Sequence, residues 1–358
     1  MVNTFSTRVI NWQRKHGRHG LPWQGADAYR VWLSEIMLQQ TQVATVIPYY
    51  QRFIAHFPNI ATLAAASEEE VLALWSGLGY YSRGRNLFRA AQIIVLKHGG
   101  EFPRNFGDIC SLPGVGRSTA AAVSALAFHE RCAILDGNVK RVLARYCAIK
   151  GYTGDKKIEA QLWQKAEELL PARDVAVYTQ GLMDFGSQLC TRTRPRCEMC
   201  PLQKDCAALN QNLVAQLPTP RPRKLLPEKN STFLLLLNGT DILLEKRPGS
   251  GIWGGLWCPP QIDEGQNSAD FCAQNFGADL TQTIVLPVLS HTFTHFKLHI
   301  SPLLIRVKNK HKFLQEPGRV WLNVEDALHA AIPAPVRTLL KTLPVYSWTE
   351  KPSEKILS

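Results

Sequence analysis

The stretch CTRTRPRCEMCPLQKDC at residues 190–206 decides the fold. Within it, Cys190, Cys197, Cys200 and Cys206 have the spacing C-x6-C-x2-C-x5-C. Four thiolates this close along a chain can bind one iron–sulfur cluster or one tetrahedral zinc ion. The remaining interpretation is a set of unrelated free cysteines, which such dense spacing disfavours. The sequence therefore predicts a metal-bearing loop at the end of the region that precedes it.

The charge of the chain is unevenly distributed. The 358 residues have a net charge of +12, of which residues 1–230 contribute +11 and residues 231–358 contribute +1. A basic first part suits a polyanion such as nucleic acid, and the alternative is a charge that serves only solubility.

The sequence carries no sign of secretion or membrane insertion. The opening residues MVNTFSTRVINWQRKHG lack the apolar core of a signal peptide, and no apolar run approaches the length of a membrane span. In a reducing compartment, nine cysteines favour metal binding over disulfides. We therefore expect a cytoplasmic protein without a membrane partner.

The spacing of apolar residues divides the chain into parts. Residues 1–206 contain runs such as NLFRAAQIIVLKH, whose apolar positions repeat near the helical period. Residues 207–230 include the proline-rich LPTPRPRKLLPEKN, which predicts an extended linker. Short β-rich runs with one helical run predict a smaller α+β domain over residues 231–345, and a tail follows at residues 346–358.

A glycine-rich turn joins two predicted helices in FGDICSLPGVGRSTAAAVSALAF, residues 106–128. Pro113 restricts the turn, while Gly114 and Gly116 permit positive φ and leave backbone N–H groups accessible. Such groups at the start of a helix can bind a phosphate, and Ser118 could add a hydroxyl. The alternative is an ordinary glycine-rich connection between helices.

Two carboxyl groups are candidates for acid–base and electrostatic work. Glu35 stands among apolar residues of a predicted helix, where burial would raise its pKa and suit it to act as an acid. The alternative for Glu35 is an ordinary position on the helix surface. Asp136 opens the helix of ILDGNVKRVLARY and is a good N-cap. A carboxylate fixed there could also stabilise a cation formed nearby.

Polar and aromatic residues that could contact nucleic acid follow the Glu35 helix and recur further along. Gln39, Gln40 and Thr41 are adjacent, and amides can bond to base edges. Tyr80 lies in GLGYYSRGRN, residues 77–86, which mixes aromatic and basic side chains suited to base stacking and phosphate contact. Tyrosines in a loop are also ordinary packing residues.

These motifs together resemble the adenine DNA glycosylase family of the endonuclease III superfamily. LPWQ, WLSEIMLQQTQV, GLGYYSR, LPGVGRSTA, LDGNVKRVLARY and the cysteine loop carry the resemblance over residues 8–206, and SGIWGGLWCPPQ and HTFTHFKLHI extend it beyond. The resemblance implies an all-α helix-hairpin-helix glycosylase domain with a [4Fe-4S] loop, plus a smaller α+β Nudix-like domain. It implies one [4Fe-4S] cluster per chain, held by the four cysteines.

The resemblance also implies a reaction, which is removal of adenine mispaired with 8-oxoguanine, or with guanine, in base excision repair. Glu35 falls at the family's acid position and Asp136 at its second carboxylate, and Asn138 is expected to orient them. Trp23 and Asp184 are candidates for the adenine pocket. The expected partner is double-stranded DNA containing the mispair, bound by a monomer that is cytoplasmic, nucleoid-associated and of bacterial type.

The resemblance also implies which residues contact DNA and the damaged base. Gln40 and Tyr80 match residues that enter the duplex beside the mispair, and the family has Phe-Ser-His where this chain has Phe293, Thr294 and His295. Thr keeps the hydroxyl that would contact 8-oxoguanine. Bifunctional relatives carry Lys where this chain has Ser118, so the resemblance implies a monofunctional glycosylase that hydrolyses the N-glycosidic bond without cutting the strand.

Two other function classes fit the sequence less well. A nucleotide pyrophosphatase of the Nudix type needs glutamates on a helix to hold magnesium, but SADFCAQNFGA at residues 268–278 contains none. The second domain is therefore expected to bind without hydrolysing. A DNA-binding module without catalysis would have no use for the carboxyls Glu35 and Asp136 in otherwise basic segments.

Overall fold

The computed structural model describes residues 4–222, 225–262, 265–276, 280–307 and 318–343. The predicted tail at residues 346–358 lies outside them. The chain forms two compact units, which are described separately. The first comprises Met1–Ala66 and Ser82–Arg223, and the second comprises Ser67–Tyr81 and Lys224–Ser358.

The first part of the chain is helical, as predicted. Its helices, in chain order, are α1 (Phe5–His16), α2 (Ala28–Leu38), α3 (Val43–His56), α4 (Ile60–Ala65), α5 (Glu68–Trp75), α6 (Ser82–His98), α7 (Phe106–Ser111), α8 (Arg117–Phe128), α9 (Gly137–Tyr146), α10 (Lys156–Glu168), α11 (Val175–Asp184) and α12 (Ala207–Asn210). A π-helical turn at Phe185–Leu189 continues α11, and two 3-10 turns follow at Cys197–Met199 and Gln203–Asp205. Of these helices, α5 belongs to the second unit.

Helix packing brings the two candidate carboxyls towards one region. Helix α8 packs against α2 and α11, and α11 in turn packs against α1 and α9. The core of α1, α8, α9 and α11 contains buried side chains such as Val9, Val142 and Tyr178. Because α2 carries Glu35 and α9 begins after Asp136, burial of these apolar faces fixes both carboxyls on one framework.

The predicted linker differs from an extended surface segment in its first half. Helix α12 lies within it, Leu217 is buried, and Thr219 forms a β-bridge with Tyr152. Arg145 donates a hydrogen bond from Nε to the carbonyl oxygen of Leu217 at 2.7 Å. Burial of Leu217 in the first unit explains the difference, whereas Leu225 and Leu226 further along the linker are exposed.

The second unit is the predicted α+β fold, built on one mixed sheet. Its strands are β1 (Glu228–Asn238), β2 (Asp241–Lys246), β3 (Trp257–Cys258), β4 (Gln261–Ile262), β5 (Leu280–Val285), β6 (Leu289–Thr292), β7 (Lys297–Val307) and β8 (Arg319–Asn323). The order along the main path is β3-β2-β1-β7-β5, and β1 and β7 are parallel. The apolar run at the centre of β1 is buried on both faces, which a central parallel pair requires. Helices α13 (Ser268–Phe276), α14 (Val324–His329) and α15 (Ala334–Thr342) accompany the sheet.

Candidate active site

Glu35, Asp136 and Asn138 line one open cleft of about 1030 Å³ in the first unit. Gln39, Gln40, Thr41 and Ser118 line it as well. Most of the residues predicted for catalysis and DNA contact in the first unit therefore share one surface. The cleft is open to solvent, as a site for part of a macromolecule must be.

Glu35 has the properties of a general acid. It lies on α2 between the buried residues Ser34 and Ile36, and part of its surface faces the cleft. Burial of the carboxyl, with a smaller contribution from the negative charge of Asp136, raises the pKa of Glu35 to about 7. A carboxyl with this pKa carries a proton in a large fraction of molecules at neutral pH.

Asp136 is held as an N-cap, as predicted. Its Oδ1 accepts a hydrogen bond from the Val139 N–H at 2.8 Å, and its Oδ2 accepts one from Asn138 Nδ2 at 3.0 Å. Burial has the largest influence and outweighs these hydrogen bonds, so the pKa of Asp136 is raised above its ordinary value. The two bonds fix both oxygens and favour the charged form. When it is ionised, the side chain can therefore present its negative charge to the cleft without reorganising.

Arg141 connects Asn138 to the cysteine loop through hydrogen bonds. Its Nη2 donates to Asn138 Oδ1 at 2.8 Å and to the Gly186 carbonyl at 2.6 Å, and its Nε donates to the Cys190 carbonyl at 2.8 Å. Asn138 is therefore oriented by Arg141 on one side while it donates to Asp136 on the other. Sequence reasoning assigned no role to Arg141, because a basic residue on a DNA-binding helix is first interpreted as a phosphate contact.

The glycine-rich turn forms the predicted hairpin between α7 and α8. Gly114 has φ of 77°, and a Cβ there would lie 2.9 Å from Cβ of Asn86, so glycine is required on both counts. Gly116 is the N-cap of α8 and makes no side-chain cap. Its surroundings are open, because a Cβ added to Gly116 would meet no described atom within 4 Å. Ser118 Oγ accepts a hydrogen bond from the Leu135 N–H at 3.0 Å and so joins the hairpin to the segment before Asp136.

Neither residue predicted for the adenine pocket lines the cleft, and both are buried. Trp23 is buried and packs edge-on against Tyr50, with 5.2 Å between ring centroids. Asp184 is fully buried, and its two oxygens accept from the backbone N–H of Arg18 at 2.8 Å and from Nε of Arg18 at 2.7 Å. Arg18 itself lines the cleft. Arg18 is thus a residue that sequence reasoning missed, and Asp184 fixes its position.

The four cysteines of the predicted metal loop line a common cavity of about 30 Å³. Among the side chains that the structure describes, no three Cys, His, Asp or Glu groups converge as they would on a single metal ion. Buried Arg145 braces the loop, donating from Nη1 to Cys190 Sγ at 3.4 Å and to the Thr191 carbonyl at 2.7 Å. An all-thiolate donor set suits an iron–sulfur cluster or a tetrahedral zinc ion.

The remaining predicted contacts lie in the second unit. Phe293, Thr294 and His295 form the turn between β6 and β7, closed by a hydrogen bond from the Phe293 N–H to the Phe296 carbonyl at 2.8 Å. Thr294 and His295 are exposed, whereas the Phe293 ring stacks on Phe296 with 4.6 Å between centroids. Tyr80 also belongs to this unit, is 44% exposed and has φ of 48°.

Known proteins match both units. Residues 33–168 match the model of the HhH-GPD superfamily of base excision DNA repair proteins, and residues 232–342 match that of the NUDIX domain. An adenine DNA glycosylase of Buchnera aphidicola subsp. Acyrthosiphon pisum is 40% identical over 94% of this chain and 97% of its own. The chain belongs to the adenine DNA glycosylase family. The human adenine DNA glycosylase is 32% identical over 95% of this chain and 74% of its own length.

Solved structures agree with this membership. A thermostable thymine-DNA glycosylase matches with a TM-score of 0.52 and 29% identity over 58% of this chain and 95% of its own. Endonuclease III, trapped as a covalent intermediate with DNA, has a TM-score of 0.50 at 22% identity over the same shares and supports the fold alone. The predicted helix-hairpin-helix glycosylase fold, the Nudix-like second domain and the classification as a DNA glycosylase are confirmed. Within the described residues, no helix combines the length and apolar character needed to cross a bilayer.

Proposed function

We propose that this member of the adenine DNA glycosylase family removes adenine mispaired with 8-oxoguanine, and also adenine opposite guanine, by acid-assisted hydrolysis. The observation that carries the proposal is the pair of carboxyls in the cleft. Glu35 has a pKa of about 7, while Asp136 is fixed by hydrogen bonds that favour its charged form. A buried carboxyl that can donate a proton, beside a second carboxyl held in place by hydrogen bonds, suits the hydrolysis of a glycosidic bond.

The reaction begins with extrusion of adenine, because the glycosidic bond is inaccessible inside the duplex. Glu35 donates its proton to N7 of adenine, so the bonding electrons leave with the base and adenine departs as a neutral molecule. The sugar acquires oxocarbenium character, and the charge of Asp136 stabilises it. Water adds to C1′ and loses a proton, and an abasic site remains. Asn138 keeps Asp136 oriented, and Arg18 offers donors to the extruded base.

The product distinguishes this reaction from that of a bifunctional glycosylase. We expect incubation with a duplex containing adenine opposite 8-oxoguanine to release free adenine and to leave an intact strand that breaks only after alkali. Ser118 carries a hydroxyl, already engaged by the Leu135 N–H, where a lyase needs an amine. Gel analysis before and after alkali measures both steps. A duplex with thymine opposite adenine is the matched control and should remain uncut after alkali.

Two outcomes of this assay would count against the proposal. Absence of adenine release from the mispaired duplex would refute the proposed function. Strand cleavage without alkali would retain glycosylase activity but contradict the monofunctional assignment. Lys140 would then be tested first. Its Nζ is paired with Glu159 Oε1 at 2.6 Å.

Cys190, Cys197, Cys200 and Cys206 are the proposed ligands of one [4Fe-4S] cluster, whose role when bound is to hold the loop of residues 190–206 in shape. The cavity among the sulfurs and the all-thiolate donor set support this proposal. We expect purified protein to be brown and to contain about four iron atoms per chain. Stoichiometric zinc in colourless protein would overturn the cluster assignment. Cys258, buried in the second unit, provides a control, since Cys258→Ser should leave the iron content unchanged.

The exposed turn of Phe293, Thr294 and His295 is proposed to recognise 8-oxoguanine. We expect Thr294→Ala combined with His295→Ala to weaken binding of adenine opposite 8-oxoguanine by about 1–3 kcal/mol, as loss of contacts to a base edge does. Binding of adenine opposite guanine should change less, so the preference between the two mispairs should fall. Titration of both duplexes by fluorescence anisotropy measures the change.

The matched control for the recognition turn is Thr292→Ala, which removes an exposed threonine hydroxyl from neighbouring β6. This variant should keep the full preference for 8-oxoguanine. An unchanged preference in the Thr294 and His295 double variant would refute the assignment of the turn. The full chain is used for these measurements because Ser67–Tyr81 and Lys224–Ser358 form one unit, and a truncation would remove part of it.

A further inference from the structure

A buried arginine of the first unit holds the turn that follows the Glu35 helix. Arg83 lies near the start of α6, and only 7% of its surface is exposed. Its Nη1 donates to the carbonyl oxygens of Ile36 at 3.0 Å and Met37 at 2.8 Å, and also to that of Gln39. Its Nη2 donates to Thr41 Oγ1 at 3.2 Å.

The carbonyls bound by Arg83 lie at the C-terminal end of α2. The carbonyl oxygens in the last turn of a helix have no hydrogen-bond donor within the helix. A cation is also favoured at a helix C-terminus because the helix dipole presents negative charge there. The Leu38 carbonyl accepts from the Thr41 N–H at 3.2 Å. The guanidinium and this backbone bond together close the turn of residues 39–41.

The backbone of this turn is strained at Gln40. Gln40 has φ of 59°, a left-handed conformation that costs free energy in a residue other than glycine and persists only where surrounding contacts impose it. Gln40 is exposed at the cleft, whereas its neighbour Gln39 donates from Nε2 to Thr119 Oγ1 at 3.3 Å. Contacts on both sides of Gln40 therefore hold its backbone, and Arg83 supplies most of them.

We propose that Arg83 is a positioning residue for base extrusion, which fixes the turn of residues 39–41 in the shape in which Gln40 enters the duplex. The proposal rests on the proposed function, in which Gln40 occupies the space beside the extruded adenine. Arg83 acts through Gln40 and takes no part in breaking the glycosidic bond. Its planar fork with two donor nitrogens spans the carbonyls and the Thr41 hydroxyl, which a lysine ammonium cannot do.

The test combines Arg83→Lys with Gln40→Ala in a double-mutant cycle. Each variant is assayed for single-turnover adenine release at saturating enzyme. Extrusion is followed separately, by the fluorescence of 2-aminopurine placed opposite 8-oxoguanine in the Glu35→Gln background, where the base is not released. We expect Arg83→Lys to slow adenine release by about 10- to 100-fold, as small displacements remote from the chemistry can, and to reduce the fluorescence rise.

The cycle separates a positioning role from a general structural one. If Arg83 acts through Gln40, Arg83→Lys should cause little further loss once Gln40 is alanine. Additive losses, or an unchanged fluorescence rise in Arg83→Lys, would overturn the proposal. Arg89→Lys makes the same exchange on the exposed face of α6 and should behave as wild type in both assays. Thermal unfolding of each variant shows whether a loss merely reflects unfolding.

Failure of this proposal is distinguishable from failure of the proposed function. Extrusion of 2-aminopurine by Glu35→Gln protein, with no adenine release by wild-type protein, would contradict the proposed function, while the fluorescence cycle would still decide the role of Arg83. Wild-type protein that releases adenine, with an Arg83→Lys variant that does so equally fast, would contradict the role of Arg83 alone. Absence of extrusion by protein that carries Glu35→Gln alone would contradict both.

Discussion

Replacing Glu35 with glutamine should reduce the single-turnover rate of adenine release by about 10²- to 10⁴-fold, the range that general acid catalysis contributes. Glutamine preserves the shape of the side chain but has no carboxyl proton to give to N7 of adenine. Binding of the mispaired duplex should be nearly unchanged. Rates measured by rapid quench and affinities measured by anisotropy on the same duplex would separate the two effects.

The pH dependence provides a second measurement on Glu35. Because its pKa is raised to about 7 and the protonated form is the active one, the wild-type rate should decline as pH rises through 7. The decline should approach tenfold per pH unit at higher pH. In Glu35→Gln the residual rate should lose this dependence. A normal rate in the variant, or a wild-type rate that rises between pH 7 and 9, would refute the assigned role.

Stability gives the control for Glu35→Gln. Folding raises the pKa of Glu35 to about 7. The protonated carboxyl therefore stabilises the folded state fully at pH values below the pKa that Glu35 has in the unfolded chain. This contribution to the free energy of unfolding is lost as pH rises through about 7. Glutamine cannot ionise and avoids the cost of a buried charge. We therefore expect the thermal midpoint of the variant at pH 8 to equal or exceed that of the wild type. A thermal midpoint below that of the wild type would indicate that Glu35→Gln loses activity because it misfolds.

Much of this site could be predicted because its signals are local in sequence. Asp136 directly precedes an amphipathic helix, and the N-cap that this position predicts is present. The glycines of the hairpin and the cysteine spacing are equally local. Periodicity alone predicted helices before residue 207 and a mixed domain after residue 230, because each pattern requires a face buried in a definite way.

The structural roles of the buried arginines could not be predicted from the sequence. Arg83, Arg141 and Arg145 stand in basic segments, where phosphate contact is the first interpretation. Each instead donates to backbone carbonyls that are distant in sequence, over 44 to 72 residues for three such bonds. These acceptors exist only where a helix ends or a loop returns beside the arginine. No local pattern distinguishes such an arginine from one that faces DNA.

The division between the units also depends on tertiary contacts. The helical pattern of α5 matches its neighbours in sequence, yet the segment Ser67–Tyr81 packs with the second unit. Ser76 Oγ donates to the Ile332 carbonyl at 2.7 Å, and Trp257 Nε1 donates to Glu69 Oε1 at 2.6 Å. Amphipathic periodicity predicts that a helix has a buried face but not which partner covers it.

Replacing Asp136 with asparagine should lower adenine release by about 10²- to 10³-fold, the loss expected when a fixed electrostatic partner of the transition state is removed. Asparagine is as good an N-cap as aspartate, so α9 should keep its start and the fold should persist. The negative charge that stabilises the oxocarbenium ion is absent. Asp136→Ala removes the cap as well, and should additionally destabilise the protein by about 1 kcal/mol.

The hydrogen bond from Asn138 to Asp136 needs its own control, because asparagine at position 136 would place two amide groups together. Asn138→Ala removes that bond and leaves the charge, so its rate should fall less than that of Asp136→Asn. The charge of Asp136 also contributes to the raised pKa of Glu35. In Asp136→Asn that pKa should therefore fall, and the residual rate should decline from a lower pH than in the wild type. Single-turnover rates from pH 5 to 9 would show both effects, and a wild-type rate at any pH would contradict the role of Asp136.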